Sequence, residues 1–465
     1  MGDRAGAIAR AEQFFDSGAF KERLGRMVAY RSTSQDPGHD ADLRAYLEEG
    51  LAPWVREMGF ETTVHDNPVP GIGPILTGSR IEDPAYKTVI LYGHGDTVRG
   101  LDDQWYEGIK PWALTERDGK WYGRGIVDNK GQHVLNLTAL EAVLAERGGK
   151  LGFNIKLIVE TAEERGSHGL KEFVASHKAL LAADALIASD GPRVLPEVPT
   201  ITTGTRGTYH FDLVVKLRPG GVHSGHWGGL TTDPAIILAH ALTTMMDRNG
   251  KVLVRDFLPK SVPNSIRALL ADCPLGGGGE AATIDEGWGE PGLSPAEKIY
   301  GWNSLIVLAM VSGKPDNPVN AVAPDASAHC QIRYTVDSDT AGFAPALRRH
   351  LDEHGFQMVA IENAAVRMAA SRTSPDNEWV QFARASMEKT LGKKVQIIPN
   401  SSGGLPGDVF VDHLGVPLVW IPHSYSGCKQ HGPNEHAIPE ILREGLLGFT
   451  GIWWDAGEKP AKIAG

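Results

Sequence analysis

Phe153-Asn154-Ile155-Lys156-Leu157-Ile158-Val159-Glu160-Thr161-Ala162-Glu163-Glu164-Arg165-Gly166-Ser167-His168-Gly169 is an apolar run that ends in two adjacent carboxylates. Its β-branched core, bounded by Gly152 and by a Gly/Ser-rich turn, reads as a buried strand. Side chains of neighbouring residues on an extended segment point opposite ways. In a turn, Glu163 and Glu164 can be aimed at two nearby targets. A metal-dependent site uses such a pair, one carboxylate holding the ion while the other handles a proton. Alone, the pair reads as a solvated loop. Two more apolar runs give it weight. Thr88 to Tyr92 leads into Gly93-His94-Gly95-Asp96-Thr97-Val98, and Asp184 to Ala188 leads into Ser189-Asp190-Gly191-Pro192. Helical patterns at 132–146 and 169–182 separate these strands. Strands alternating with helices predict an α/β fold, a mainly parallel sheet with helices on both faces. In such sheets ligands gather at the carboxyl ends of the strands.

Working outward, residues 7–30 and 41–58 read as amphipathic helices, the second ending at Gly59. Glu61 to His65 and a stretch near Ile75 read as strands. Gly123-Arg124-Gly125-Ile126-Val127-Asp128-Asn129-Lys130-Gly131 places Asp128 in a loop just before a helix. Its glycine spacing does not fit a phosphate-binding loop, and no Gly-Lys-Ser/Thr follows. After Gly204-Thr205-Arg206-Gly207 the pattern changes. Tyr209 to Leu217 alternates, with Phe211, Leu213 and Val215 on one face. Gly220 to His226 reads as a loop and 233–247 as a helix. Residues 248–300, with Gly276 to Gly279, read as an irregular insertion. Strands at 302–310 and 326–336, a helix at 340–355 and a strand at 356–368 complete an α+β ferredoxin-like module. The α/β pattern returns near residue 375 with a helix at 376–391, strands Val395 to Ile398 and Pro417 to Ile421, and a last helix at 438–456. The expected organisation is a catalytic domain in two parts, 1–205 and 373–465, interrupted by a lid and dimerisation domain, 206–372.

The 465 residues are 42% hydrophobic and 22% charged, enough for two or three domains with ordinary cores. A net charge of −11 and the lack of a strong basic run argue against nucleic-acid or anionic-membrane partners. Three scattered cysteines, Cys273, Cys330 and Cys428, offer no disulfide framework, and a cytoplasmic location is expected. No apolar run reaches the ~18 residues of a membrane span.

Collected, the candidate metal ligands are His94, Asp128, Glu164, Asp190 and His431. Imidazole nitrogens and carboxylate oxygens suit Zn²⁺, with Mn²⁺ or Co²⁺ as alternatives. Five ligands exceed one open catalytic site and suit two ions if a carboxylate bridges them; such ions sit about 3.5–4 Å apart. Asp96 can hold the second N–H of the His94 ring. Glu163 can take a proton from an activated water. His133, His210, His240 and His423 read as structural, and Trp420, Trp453 and Trp454 as core.

Gly93-His94-Gly95-Asp96-Thr97-Val98, Gly123 to Gly131, Glu163-Glu164-Arg165-Gly166-Ser167-His168-Gly169-Leu170, Ser189 to Pro192 and His431-Gly432-Pro433-Asn434-Glu435 together resemble the dizinc aminoacylase/carboxypeptidase family, metallopeptidase family twenty. The resemblance spans nearly the whole chain in the family's motif order. Its members include carnosine-type dipeptidases, acetylornithine deacetylase, succinyl-diaminopimelate desuccinylase and glutamate carboxypeptidase. It implies that Asp128 bridges two metals, that His94 and Asp190 complete one site, and that Glu164 and His431 complete the other. Asp96 would orient His94, Glu163 would be the general base, and the Asp128–Asn129 peptide would be cis. His223, in Gly221-Val222-His223-Ser224-Gly225, matches an oxyanion-stabilising histidine often supplied by a partner subunit. Asn320 and Arg333 match the grip on a substrate carboxylate. Gly403 and Gly404 keep the glycines of a segment that in related dipeptidases reads Arg-Glu-Gly-Gly-Ser, but the charged pair is absent here. The expected activity is hydrolysis of a dipeptide or N-acyl amino acid by water bridged between the metals, in a homodimer joined through the lid. A small-amide deacylase and a silent binding protein are the alternatives.

Overall fold

A computed structural model describes residues 2–275 and 283–458; the glycines Gly276 to Gly279 lie outside them. The strands of the two larger sheets are β1 (Glu61–His65), β2 (Ile75–Arg80), β3 (Thr88–His94), β4 (Asn154–Glu160), β5 (Ala185–Ala188), β6 (Thr200–Thr202), β7 (Gly207–Lys216), β8 (Ser304–Ser312), β9 (Asp325–Tyr334), β10 (Val359–Met368), β11 (Gln396–Ile398) and β12 (Leu418–Trp420). The helices used below are α1 (Arg4–Asp16), α2 (Ala19–Val28), α3 (Lys130–Glu146), α4 (Pro234–Met245), α5 (Phe343–Glu353), α6 (Glu378–Leu391) and α7 (Pro439–Glu458).

The large sheet has the order β1-β2-β4-β3-β5-β12-β6-β11. Its centre, β4-β3-β5-β12, is parallel throughout. The β1-β2-β4 edge and the β12–β6 pair are antiparallel. Alternate residues of β3 enter two different cores, as an extended chain requires. Val89 and Leu91 pack with Leu135 of α3 and Leu446 and Trp453 of α7. Ile90 and Tyr92 pack with Leu170, Phe173, Phe410 and Trp420. Both faces are therefore covered, which is why the central strands read as continuous apolar runs. Helix α3 is buried along nearly its whole length between the sheet and α7. The polar side chains it buries are bonded, Lys130 to the Tyr30 carbonyl and Gln132 to the Val127 carbonyl.

The second sheet is antiparallel, in the order β8-β9-β7-β10. Phe211, Leu213 and Val215 of β7 bury against Leu238, Ala241 and Met245 of α4 and Phe343, Leu347 and Leu351 of α5. The chain passes between the sheets at Gly204–Thr205, which pairs with the returning Ser371–Arg372. A Cβ on Gly204 would lie 2.1 Å from the Ser371 carbonyl oxygen, so only glycine lets the outgoing and returning strands meet.

Four local expectations change. The helix expected over 7–30 is two helices, because Gly18 takes φ +86° between α1 and α2. The helix expected over 169–182 breaks at His177, whose ring bonds the Phe173 carbonyl. Val222–His223, expected in a loop, pairs as a short strand with Ala321–Val322 and leads into a helical turn at Ser224–Trp227. Its partner lies about a hundred residues on, beyond the reach of a local pattern. Finally, the 248–300 segment contains helices Asn264–Leu270 and Pro295–Tyr300. Val262, Ile266, Leu270, Ala296 and Tyr300 share a core with Val194 and with Ile398 of β11. That segment packs on the edge of the large sheet.

Candidate metal centre

The carboxyl ends of three adjacent parallel strands supply most of the site. His94 is the last residue of β3 and stands opposite Glu160, the last residue of β4. Beyond β4, Glu163–Arg165 form a 3-10 turn closed by Gly166 at φ +83°. Beyond β5 comes Asp190. Asn129 ties two of these ends together: its Nδ2 donates to the Ser189 carbonyl at 2.7 Å, and its Oδ1 accepts from the His94 backbone N–H at 3.3 Å. The Asp128–Asn129 peptide is cis. His431 arrives from a loop near the other end of the sequence, at φ +63°.

Five side chains form two overlapping donor groups: His94, Asp128 and Asp190, and Asp128, Glu164 and His431. Asp128 belongs to both. Its Oδ1 lies 3.1 Å from His94 Nε2, and its Oδ2 lies 3.1 Å from His431 Nε2. Asp190 Oδ2 is 3.5 Å from His94 Nε2, and Glu164 Oε2 is 3.1 Å from His431 Nε2. Each oxygen of one carboxylate thus serves a different group.

Asp96 faces His94 Nδ1 with two oxygens. The nearer partner of His94 Nδ1 is the Asp96 backbone carbonyl at 3.0 Å; the carboxylate is at 3.4 Å. The carboxylate also accepts from the N–H of Glu163 (3.2 Å), the N–H of Glu164 (3.1 Å) and Ser34 Oγ (2.6 Å). It fixes the turn that carries both glutamates.

The electrostatics describe a cluster short of positive charge. Burial pushes Glu163 well above the usual carboxylate range; His94 opposes this, while Asp190, Glu164 and Asp128 add to it. Burial and the Asp128 charge push Glu164 up to about 7. Asp190 is raised chiefly by burial. Burial would also raise Asp128, but hydrogen bonds from His431 and His94 hold it below its ordinary value. Hydrogen bonds to Asp128 and Glu164 push His431 up to about 11. Burial would lower His94, but Asp128, Asp190 and Asp96 raise it well above the ordinary imidazole value. Without an ion, protons on the two imidazoles offset the carboxylates. Bound cations would take over that role and release the protons. The donor set fits such ions: it is all imidazole and carboxylate, and Glu164 Oε1 is buried with no hydrogen-bond partner.

Glu435 closes the His431-Gly432-Pro433-Asn434-Glu435 motif, and the structure gives it a role. It is 1% exposed, and Oε2 accepts from Arg124 Nη1 and from the Gly125 N–H, both at 2.9 Å. Oε1 accepts from the N–H groups of Val127 (3.1 Å) and Asp128 (3.2 Å). Glu435 therefore holds the loop that presents Asp128. Glu435→Ala leaves Arg124, itself fully buried, without its counter-ion. The expected loss is roughly 3–5 kcal/mol of stability, read by urea unfolding of chelator-treated protein. Unchanged stability would reject this role.

Glu160 is a second buried acid beside the site, with no mark in the local sequence pattern. Its Oε1 accepts from Tyr92 Oη and Ser167 Oγ, both at 2.8 Å, and burial with the Asp96 charge pushes it up to about 7 from 4.5. The folded state thus binds this proton more tightly than the unfolded state. This contribution is fully present below pH 4.5 and is lost as pH rises to about 7. Glu160→Gln removes it. The stability of wild type relative to the variant should fall by about 1.4 kcal/mol per pH unit across that window and then level off. Urea unfolding of both chelated proteins from pH 4 to pH 8 checks this; parallel curves would contradict it.

The other candidates lie outside the donor groups. His223 is exposed; its Nδ1 accepts from the Gly225 N–H, and its ring stacks on His226 at 4.4 Å. Asn320 is exposed, and its carbonyl accepts from the Ser224 N–H. Arg333, on β9, is half-buried with Nε on Gln331. Gly404 packs against Met368 of β10, and Gly403 is exposed. Trp420 and Trp453 are fully buried core, and His133 is a buried partner of Asn129.

The model of the family described as Peptidase family M20/M25/M40 matches residues 90–454. The chain belongs to this peptidase family. It is thereby a hydrolase of the M20 metallopeptidase type. The chain is 38% identical over 407 residues to the human Beta-Ala-His dipeptidase, covering 83% of this chain and 78% of that one. It is 26% identical over 398 residues to the Cysteinylglycine-S-conjugate dipeptidase of Corynebacterium striatum, covering 83% of each. The crystal structure of human carnosine dipeptidase 1 superposes with a TM-score of 0.76 over 97% of this chain and 99% of that one, at 22% identity, so it shares the fold. Among the described residues of this M20 peptidase, no helix is long and apolar enough to cross a membrane.

Proposed function

We propose that the chain is a dinuclear metallohydrolase that cleaves the amide bond of a dipeptide bearing a free carboxylate. The observation that carries this reading is Asp128, whose two oxygens face two separate donor groups. His94 and Asp190 would hold one divalent ion and Glu164 and His431 the other, with Asp128 between them and Zn²⁺ as the favoured metal. When bound, the ions would polarise the scissile carbonyl and lower the pKa of a water into the neutral range. Glu163 is in neither group and stands beside both on the turn fixed by Asp96, so it is free to take the water proton and hand it to the departing amine. Arg333 would grip the substrate carboxylate with its planar fork; among the described residues it has no ion-pair partner.

The second sheet with its two helices would serve as lid and dimer surface. Trp227, Leu230, Ile236 and Val319 lie exposed near His223 and Asn320 in sequence, and apolar side chains left in water favour association. In such a dimer His223 and Asn320, which belong to neither donor group of their own chain, would serve the partner's substrate. Dipeptides are favoured over acylated amino acids because the named relatives are dipeptidases.

The test is amine release by zinc-loaded protein from dipeptides and N-acyl amino acids, with and without chelator. Chelator-sensitive release from dipeptides is expected. Release from acylated amino acids alone would replace this reading with a deacylase.

A further inference from the structure

The second sheet buries one face against α4 and α5, and alternation sends the polar residues of its strands to the other. There the register sets Thr208 opposite Arg333, His210 opposite Gln331 and Asp212 opposite His329. Arg333 Nε donates to Gln331 Oε1 at 3.0 Å, its only hydrogen bond among the described residues. Gln331 Nε2 lies 2.8 Å from His210 Nε2. On its other flank Gln331 meets Ile306 of β8, whose side chain offers no polar atom.

Hydrogen-bond chemistry fixes the direction of this chain. A guanidinium has only donors, so the Gln331 amide oxygen must face Arg333 and its NH2 must face His210. His210 Nε2 is then a bare acceptor, and the ring proton sits on Nδ1. With Nε anchored, both Nη groups of Arg333 are left for a carboxylate. The anchor matters because Arg206, two residues before Thr208, is a second cation that repels Arg333. The surroundings keep His210 neutral. Asp212 is held by His329 Nδ1 and by Asn363 Nδ2, both at 2.6 Å, and Glu362 of β10 faces Lys216 at 3.7 Å. Burial and the charges of Arg367 and Arg333 hold the His210 ring below the ordinary imidazole value; Asp212 opposes them.

We propose that Gln331 is a positioning residue for substrate binding and that neutral His210 sets it, holding its amide in the orientation that anchors Arg333. This rests on the reading of Arg333 as the grip on the substrate carboxylate. Protonation of His210 turns Nε2 from acceptor into donor, so N–H meets N–H. Either the amide flips and opposes the Arg333 Nε–H, or the ring withdraws and leaves the amide unheld. Both free Arg333. The grip is therefore firm near neutral pH and weakens in acid.

The test measures kcat and KM of the zinc-loaded full chain on a dipeptide from about pH 5.5 to pH 8, where imidazoles titrate. At pH 8, Gln331→Leu should raise KM ~3–10-fold, the worth of one hydrogen bond, and change kcat far less. Added to Arg333→Met, it should have no further effect. His210→Gln keeps an acceptor that does not titrate. The ratio of its KM to the wild-type KM should fall ~3–10-fold as the pH drops; titration of the metal centre, common to both, cancels. A ratio that stays flat, or a Gln331→Leu effect that persists beside Arg333→Met, would overturn the proposal. If Arg333→Met itself keeps the wild-type KM, the carboxylate grip is what fails, and the inference falls with it. One readout needs no turnover: the ¹⁵N spectrum of histidine-labelled, chelated protein at pH 8, with His210 assigned by its loss in His210→Gln. The Nδ1–H form is expected, and an Nε2–H form would overturn the proposal whatever the activity.

Discussion

Glu163→Gln is expected to lower kcat by ~10²–10⁴-fold, the usual worth of a positioned general base, while both metals stay bound. Glutamine keeps the shape of the side chain but cannot take a proton. Glu163 belongs to neither donor group, so no ligand is lost. Its backbone N–H is what Asp96 holds, and that bond survives the substitution, so the turn and Glu164 should stay in place. Little change in KM is expected, because the missing interaction is made in the transition state. Turnover on the dipeptide found by the panel should be measured beside metal content per chain. A variant that holds its metals and turns over within a few-fold of wild type would remove Glu163 from the mechanism.

Asp128→Ala should have the largest effect on metal. It takes an oxygen from each group at once, whereas His431→Ala takes a donor from one group only. Wild type should hold two ions, His431→Ala about one, and Asp128→Ala almost none at the same free metal concentration. Activity of Asp128→Ala should fall on the order of 10³-fold or more, since metal polarisation is worth several kcal/mol of the barrier. Two ions retained by Asp128→Ala would rule out a shared ligand.

The parts of the site that lie at strand ends could be read in the sequence. His94, Glu164 and Asp190 each follow an apolar run, and parallel neighbours bring such ends together. His431 sits in a loop at positive φ with no periodic signal, so it could be collected as a candidate ligand by residue type alone, and its place in a donor group was implied by the family resemblance. The role of Glu435 was hidden for another reason. Its partner Arg124 is 311 positions away, and nothing local marks either charge as buried. The same limit applies to the second sheet: alternation in Phe211, Leu213 and Val215 marked its inner face, while the pairing of Val222–His223 with Ala321–Val322 is set by chain crossing alone.

The placement of β12 between β5 and β6 also dictates a timetable for assembly on the ribosome. His94, Asp128 and Asp190 emerge early, while His431 is translated about 240 residues after Asp190. At the usual ~5–20 residues per second, the nascent chain spends roughly 12–48 s with one donor group complete and the other lacking its imidazole. The same interval separates β5 from β12, its neighbour in the finished sheet. On the proposed two-ion reading, loading of the second ion would therefore be a late event of biosynthesis, gated by arrival of the last tenth of the polypeptide.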